Sequence, residues 1–226
     1  MLTAGSYLKS SIGKKQIIAV TSLALILFVI GHLFGNLWIY AGPEAFNGYA
    51  EKLAHLRPAL NVAEFFLLAI FLTHIYLTSL LVLENIRARS GRYVVQRSKQ
   101  EGSRWTSRIM ALSGTVILAF VIWHIKDFTF TDHTGPRSFI HGKSLGLYGV
   151  VYNSFTNPVH SLLYVIAVIC VGLHLDHGVQ SFCQTFGFTH PRYTPIIYTI
   201  SRWFAIIVTL GFSSIPIYIF IDFMRI

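Results

Sequence analysis

The sequence predicts an all-α integral membrane protein of five transmembrane helices in a single domain, residues 1–226. Three observations carry that prediction. Of 226 residues, 54% are hydrophobic and only 12% are charged, where soluble domains carry about 25%. The mean hydropathy is +0.58. The apolar residues gather into five stretches of the length a bilayer requires, about 17–25 residues. They run over approximately 16–40, 60–83, 109–125, 159–182 and 203–223.

The first stretch follows Lys9, Lys14 and Lys15, as a signal peptide would. It is too long for one, and no small-residue cleavage site follows, so it reads as a retained span. Trp38, Trp105, Trp123 and Trp203 sit near span ends, where aromatic belts form. Gly211 and Pro216 predict a bend in the fifth span. Between spans three and four, Gly135, Pro136, Gly142, Gly146 and Gly149 argue against a long helix over 126–158 and leave room for a short surface or re-entrant one. Loops of that length are often functional. Those glycines follow no strand, so they do not read as a phosphate loop. No internal repeat is evident.

Charge sets the orientation. Twelve of the eighteen Lys and Arg residues fall in the N-terminal tail, the loop from Arg87 to Arg108, and the loop holding Arg192 and Arg202. These segments share one side, which the positive-inside rule makes cytoplasmic. The N-terminus is therefore expected inside and the C-terminus outside. The net charge of +9 flanks apolar spans, which points to anionic lipid or acidic partners and away from nucleic acid. Cys170 and Cys183 make neither a disulfide framework nor a zinc pair, and no C-x-x-C-H occurs.

Four of the five spans each contribute one histidine to a set of four: His32, His74, His124 and His174. An ionisable side chain in a lipid-embedded helix is costly and marks function by default. Orientation sorts the four by depth. His32 and His124 lie near the outer ends of outward-running spans. His74 and His174 lie about 15 residues along inward-running spans, roughly 20 Å below the outer surface at 1.5 Å per residue. Each level thus has two imidazoles from two helices. That is what a six-coordinate b-type haem needs, and helix bundles build such sites from facing helices. Zinc also takes histidine but prefers four ligands, and no acidic pair accompanies the outer histidines. The expected architecture is a four-helix core around two haems b, with the fifth helix peripheral.

Of the other histidines, His55, His133, His141, His160 and His190 read as solvated or interfacial. His177 lies one turn after His174 on the same face. It suits a haem-propionate contact, proton transfer or plain packing. Glu64 is ten residues before His74, about 15 Å further out, where a carboxyl can exchange protons with a quinol or face headgroups. Asp176, just past His174, suits a quinone or propionate network or a capping role.

Beyond these residues stand local motifs: F-V-I-G-H-L-F-G-N at His32, G-P-E-A-F-N from Gly42 to Asn47, and H-I-Y-L-T at His74. They continue with S-R-I-M-A-L-S-G from Ser107 to Gly114, W-H at His124, and G-L-H-L-D-H-G-V-Q-S-F-C-Q-T-F-G from Gly172 to Gly187. In this order the chain resembles, over essentially its whole length, the cytochrome b membrane-anchor subunit of bacterial succinate dehydrogenases and quinol:fumarate reductases. The type it resembles has one five-helix chain and two haems. The resemblance implies His74 and His174 as ligands of the haem nearer the cytoplasm, and His32 and His124 as ligands of the distal, lower-potential one. It also implies a flavoprotein subunit and an iron–sulfur subunit docked on the cytoplasmic side of the inner membrane, and menaquinone or another quinone as redox partner. It leaves room for dimers or trimers of the complex. The chain has no dinucleotide fingerprint and no cysteine cluster, so dicarboxylate chemistry would fall to those partners. Arg108, at the inner start of span three, suits a haem propionate or headgroups. The rival readings are the haem b anchor of another respiratory oxidoreductase and a histidine-lined metal-ion transporter.

Overall fold

The computed structural model describes residue 7, residues 10–88 and residues 101–225, with the side chains of 101–108 outside that description. Seven α-helices occur among the described residues. The long ones are α1 (Ser11–Leu37), α3 (Ala59–Arg87), α4 (Glu101–Phe128), α6 (Pro158–Thr185) and α7 (Thr194–Phe223). The described parts of all five are long and apolar enough to cross a membrane. They start or end several residues outside the apolar stretches, α4 and α7 most of all, because polar residues continue the helix into the headgroup region. The short ones, α2 (Pro43–His55) and α5 (Gly146–Phe155), lie in the two connections at the end of the bundle that the charge distribution predicts to face outward, beside a two-residue antiparallel hairpin pairing Phe139 with Ser144 and Ile140 with Lys143.

Local chemistry explains the helix starts. Ser10 accepts a hydrogen bond from the Gly13 N–H, and Asn157 accepts from the Val159 and His160 N–H groups. Each satisfies donors that a first turn leaves orphaned. Gly42 has φ +90°, which an L side chain resists, and Pro43 follows at the first helical position. Asn47, later in the same motif, accepts from the Tyr148 N–H and donates to the Leu145 carbonyl, tying α2 to the start of α5.

Helix α6 is the hub. It packs on α1, α4 and α7, while α1 also packs on α3 and α7. Round the bundle the order is therefore α3, α1, α6, α4, with α7 against α1 and α6. The fifth span lies outside the histidine helices, as expected, but it is not loosely attached. It buries Ser201, Ala205, Val208, Ser213, Ile215, Pro216 and Ile219 and runs as one helix through Gly211 and Pro216. The least buried span is α3, which has no buried residue. Its inner end is held to α1 by an ion pair between Lys14 and Glu84.

Close approach of α7 to α6 depends on Gly172. A Cβ there would stand 2.0 Å from Thr209 Oγ1 and 3.4 Å from the Ala205 carbonyl oxygen. The Thr209 Cβ would itself stand at 3.3 Å, a contact that rotation of the hydroxyl does not relieve, so the bulkier side chain of Gly172→Leu must separate the helices. The expected cost is about 3 kcal/mol, the upper end for overpacking, measured as a fall in detergent-phase unfolding stability.

The best-buried apolar cluster is at the outer end: Ile39, Phe46, Val151, Tyr152, Phe155, Tyr164, Ile215 and Ile219. Helices in lipid gain little hydrophobic drive from one another. Four residues of this cluster, Phe46, Val151, Tyr152 and Phe155, come from α2 and α5, which cap the bundle, and lie outside the candidate spans, where burial from water contributes about 1.5–3 kcal/mol per large side chain. Within the cap, Tyr152 donates to Asp222 Oδ2 at 2.9 Å. Burial, then that hydrogen bond, pushes the Tyr152 hydroxyl up to about 12 from 10.0. The folded protein keeps a proton that the unfolded chain releases. The contribution is therefore complete below pH 10 and is lost as pH rises toward 12. Tyr152→Phe is expected to flatten that part of the stability-versus-pH curve relative to the parent protein.

Candidate functional site

The four span histidines meet in two pairs. His32 on α1 stands beside His124 on α4, ring centroids 5.7 Å apart and planes at 89°. His74 on α3 stands beside His174 on α6, centroids 6.5 Å apart and planes at 71°. Neither pair joins principal neighbours in the bundle. Each reaches across the interior, along one diagonal of the four helices. Imidazole nitrogens sit about 2 Å from a metal, so two rings on one iron have centroids roughly 6 Å apart, and both separations suit that. Among the described residues no group of three or more His, Cys, Asp or Glu side chains converges as a metal site. Each pair therefore offers two nitrogens, too few for the tetrahedron that zinc prefers.

The inner pair is held by hydroxyls. Thr21 Oγ1 lies 3.3 Å and Ser22 Oγ 3.5 Å from His74 Nδ1, and Ser113 Oγ lies 3.2 Å from His174 Nδ1. These hydroxyls already donate to carbonyls of their own helices: Thr21 to Ile17 and Ile18, Ser22 to Ile18, Ser113 to Met110. A hydroxyl whose proton is on such a carbonyl can only accept from the facing Nδ1; in that arrangement Nδ1 carries the ring proton and the lone pair falls on Nε2.

The outer pair is enclosed by aromatic rings instead. Phe28 stacks on His32 at 5.3 Å, and Phe212 lies 5.8 Å from it. Phe120 and Phe128 flank His124 at 5.7 and 5.2 Å. The Nδ1 of His124 is buried without a hydrogen-bond partner. One turn beyond His124, Asp127 anchors a polar cluster at the membrane edge. Its Oδ2 accepts from the Tyr164 hydroxyl at 2.9 Å, and Arg137 stands 3.6 Å from its Oδ1. His160 Nε2 lies 3.2 Å from Oδ2, out of line for a hydrogen bond. His160 also stacks on Tyr164 at 4.7 Å and meets Trp123 at 4.9 Å. It is thus a packed residue rather than a solvated one, which leaves the interfacial of the two readings its position suggests. Asp127, Tyr164 and His160 are legible in the sequence only as i, i+3 and i, i+4 partners on two helices whose contact the sequence does not state.

The remaining candidates scatter. Glu64 is exposed on α3 and faces Arg57 at 3.8 Å, with both side chains more than half exposed. Asp176 is buried, where Ser201 Oγ and Gln180 Nε2 both donate to its Oδ1, at 2.7 and 2.8 Å. That network clamps α6 to α7. His177 has a buried Nδ1 without a hydrogen-bond partner. The Arg108 side chain lies outside the described residues, as does most of the basic loop from Arg87 to Arg108.

Over 189 residues, 84% of this chain and 85% of the relative, the sequence is 23% identical to the succinate dehydrogenase cytochrome b558 subunit of Bacillus subtilis (strain 168). That similarity bears out the resemblance carried by the motifs: the chain is similar to a cytochrome b membrane subunit of a succinate dehydrogenase. No protein-family profile matches it, and no solved structure does.

Proposed function

We propose that the chain is the membrane anchor and electron-transfer subunit of a succinate:quinone oxidoreductase. It holds two haems b and links a cytoplasmic iron–sulfur subunit, itself docked to a flavoprotein, with a membrane quinone such as menaquinone. The observation that carries this reading is the pair of diagonals: two imidazoles at each of two levels, spaced for one iron apiece. The similarity to a succinate dehydrogenase cytochrome b558 subunit supports the choice of complex.

His74 and His174 would hold the inner haem, and His32 and His124 the outer one. A haem b held by two imidazoles would supply one-electron transfer and would offer no open site to oxygen or substrate. The chain's own residues supply the rest. Thr21, Ser22 and Ser113 orient the inner imidazoles. Phe28, Phe120, Phe128 and Phe212 keep water from the outer ones. Helix α1 sets the spacing of the levels, because Thr21 at the inner one and His32 at the outer one are about 16 Å apart along its axis. The distribution of Lys and Arg supports a cytoplasmic N-terminus.

The test is purification from native membranes. The expected preparation contains a flavoprotein with succinate-oxidising activity and, on dithionite reduction, a b-type α band, with a pyridine haemochrome equal to two haems per chain. A haem-free preparation contradicts the reading. Haem with a different dehydrogenase and no flavoprotein assigns the chain to another respiratory complex.

A further inference from the structure

The two helices that carry the outer histidines are built alike. Thr21 precedes His32 by eleven residues, and Ser113 precedes His124 by eleven. Eleven residues are three helical turns, so hydroxyl and imidazole share a face. The segments end alike, F-V-I-G-H over 28–32 and F-V-I-W-H over 120–124, and differ there only at Gly31 and Trp123. Phe28 lies against His32 and Phe120 against His124. This is an internal repeat, a hydroxyl residue, six residues, then F-V-I-x-H, that the sequence read end to end does not bring out. Its two copies act alike in space. In each, the hydroxyl meets the Nδ1 of the inner-level histidine on the helix packed beside it: Thr21 on α1 meets His74 on α3, and Ser113 on α4 meets His174 on α6. The bundle thus has two halves of the same plan, α1 with α3 and α4 with α6, and each histidine pair draws one member from each half.

We infer that Thr21 and Ser113 are paired positioning residues for the inner haem, which fix the tautomer of the two imidazoles that would hold it and keep its potential below the value it would have without them. The inference rests on the haem reading proposed for this chain. Both residues are buried, Thr21 8% and Ser113 4% exposed, and each hydroxyl has a carbonyl of its own helix within reach for its proton, which leaves the oxygen to accept from Nδ1. An imidazole that donates through Nδ1 is a more basic ligand at Nε2. A more basic ligand favours the oxidised metal, so each hydroxyl lowers the potential of the inner site. The outer pair has no such counterpart at His124, whose Nδ1 has no partner. Ser22 is a secondary contact to His74. The corresponding residue in the second copy is Gly114, where an added Cβ would meet the His174 ring at 3.5 Å, so the two copies agree at Thr21 and Ser113 only.

The test is a spectroscopically monitored redox titration of the intact complex carrying Ser113→Ala, Ser113→Thr, Thr21→Ser, or Thr21→Val with Ser22→Ala. The inner component is identified as the one lost in His74→Leu. Ser113→Ala and the double substitution are expected to move the inner component to higher potential and to weaken its retention about 10–100-fold, the usual cost of losing a partner to a metal-bound histidine. The outer component should stay in place, and Ser113→Thr and Thr21→Ser should keep the parent potential. If neither component moves, if the outer one moves as much as the inner, or if Ser113→Thr behaves like Ser113→Ala, the hydroxyls are packing groups and the inference falls while the haem reading stands. If the parent complex carries no b-type haem, the haem reading fails and the inference with it.

Discussion

Replacing His74 with leucine is expected to halve the haem content of the purified protein, from two haems b per chain to one, with the same component lost in His174→Leu. Each level has two imidazoles and no third ligand among the described residues. Leucine offers no lone pair, so one axial position is emptied and filled by an apolar side chain. The surviving imidazole cannot compensate, because hydroxyls hold each inner ring from the far side. The outer pair is about 16 Å away along α1 and has its own aromatic enclosure, so its haem should stay. Pyridine haemochrome analysis and the reduced-minus-oxidised spectrum measure both effects. Loss of all haem from a still-folded protein would mean that the two levels are not independent.

Gly149→Ala is expected to open the outer cap. A Cβ at Gly149 would stand 2.0 Å from the Ser138 carbonyl oxygen and 2.7 Å from its carbonyl carbon. Those are backbone atoms of a residue that is fully buried, and the same carbonyl accepts the Leu145 N–H at 2.8 Å. No rotamer change relieves the contact, so α5 must lift from the hairpin. The expected destabilisation is at least about 3 kcal/mol, seen as an earlier unfolding transition. Faster proteolysis within 136–155 should accompany it. Since α5 carries Phe155 and Ser154, which meet His160 and Arg137, the outer haem signal should broaden and the inner one should not.

Much of this fold is legible in the sequence because a bilayer is a demanding solvent. It fixes the length of a span and the side on which basic residues collect, and those two constraints sort four histidines by depth. The structure brings together the residues that depth groups, His32 beside His124 and His74 beside His174. Depth alone does not place residues around the helix axis. Glu64 has the depth of the outer pair but sits on the exposed face of α3. Asp127 has both the depth and the direction, yet in the sequence it reads as a loop residue just past a span. The cap formed by α2 and α5 is equally hard to read. Its glycines signal turns, yet Gly149 is there for close packing and not for backbone freedom. The tight seam of α7 is hidden because a span without a histidine looks dispensable, although its small residues permit the contact with α6.

The pairing of the histidines is tested most directly by low-temperature electron paramagnetic resonance of the oxidised complex, with each of the four replaced in turn by leucine. Two low-spin ferric signals are expected in the parent. His32→Leu and His124→Leu should abolish one of them, and His74→Leu and His174→Leu the other. If His32→Leu and His74→Leu remove the same signal, the two imidazoles of one haem do not come from one level, and the pairing of His32 with His124 and of His74 with His174 is wrong.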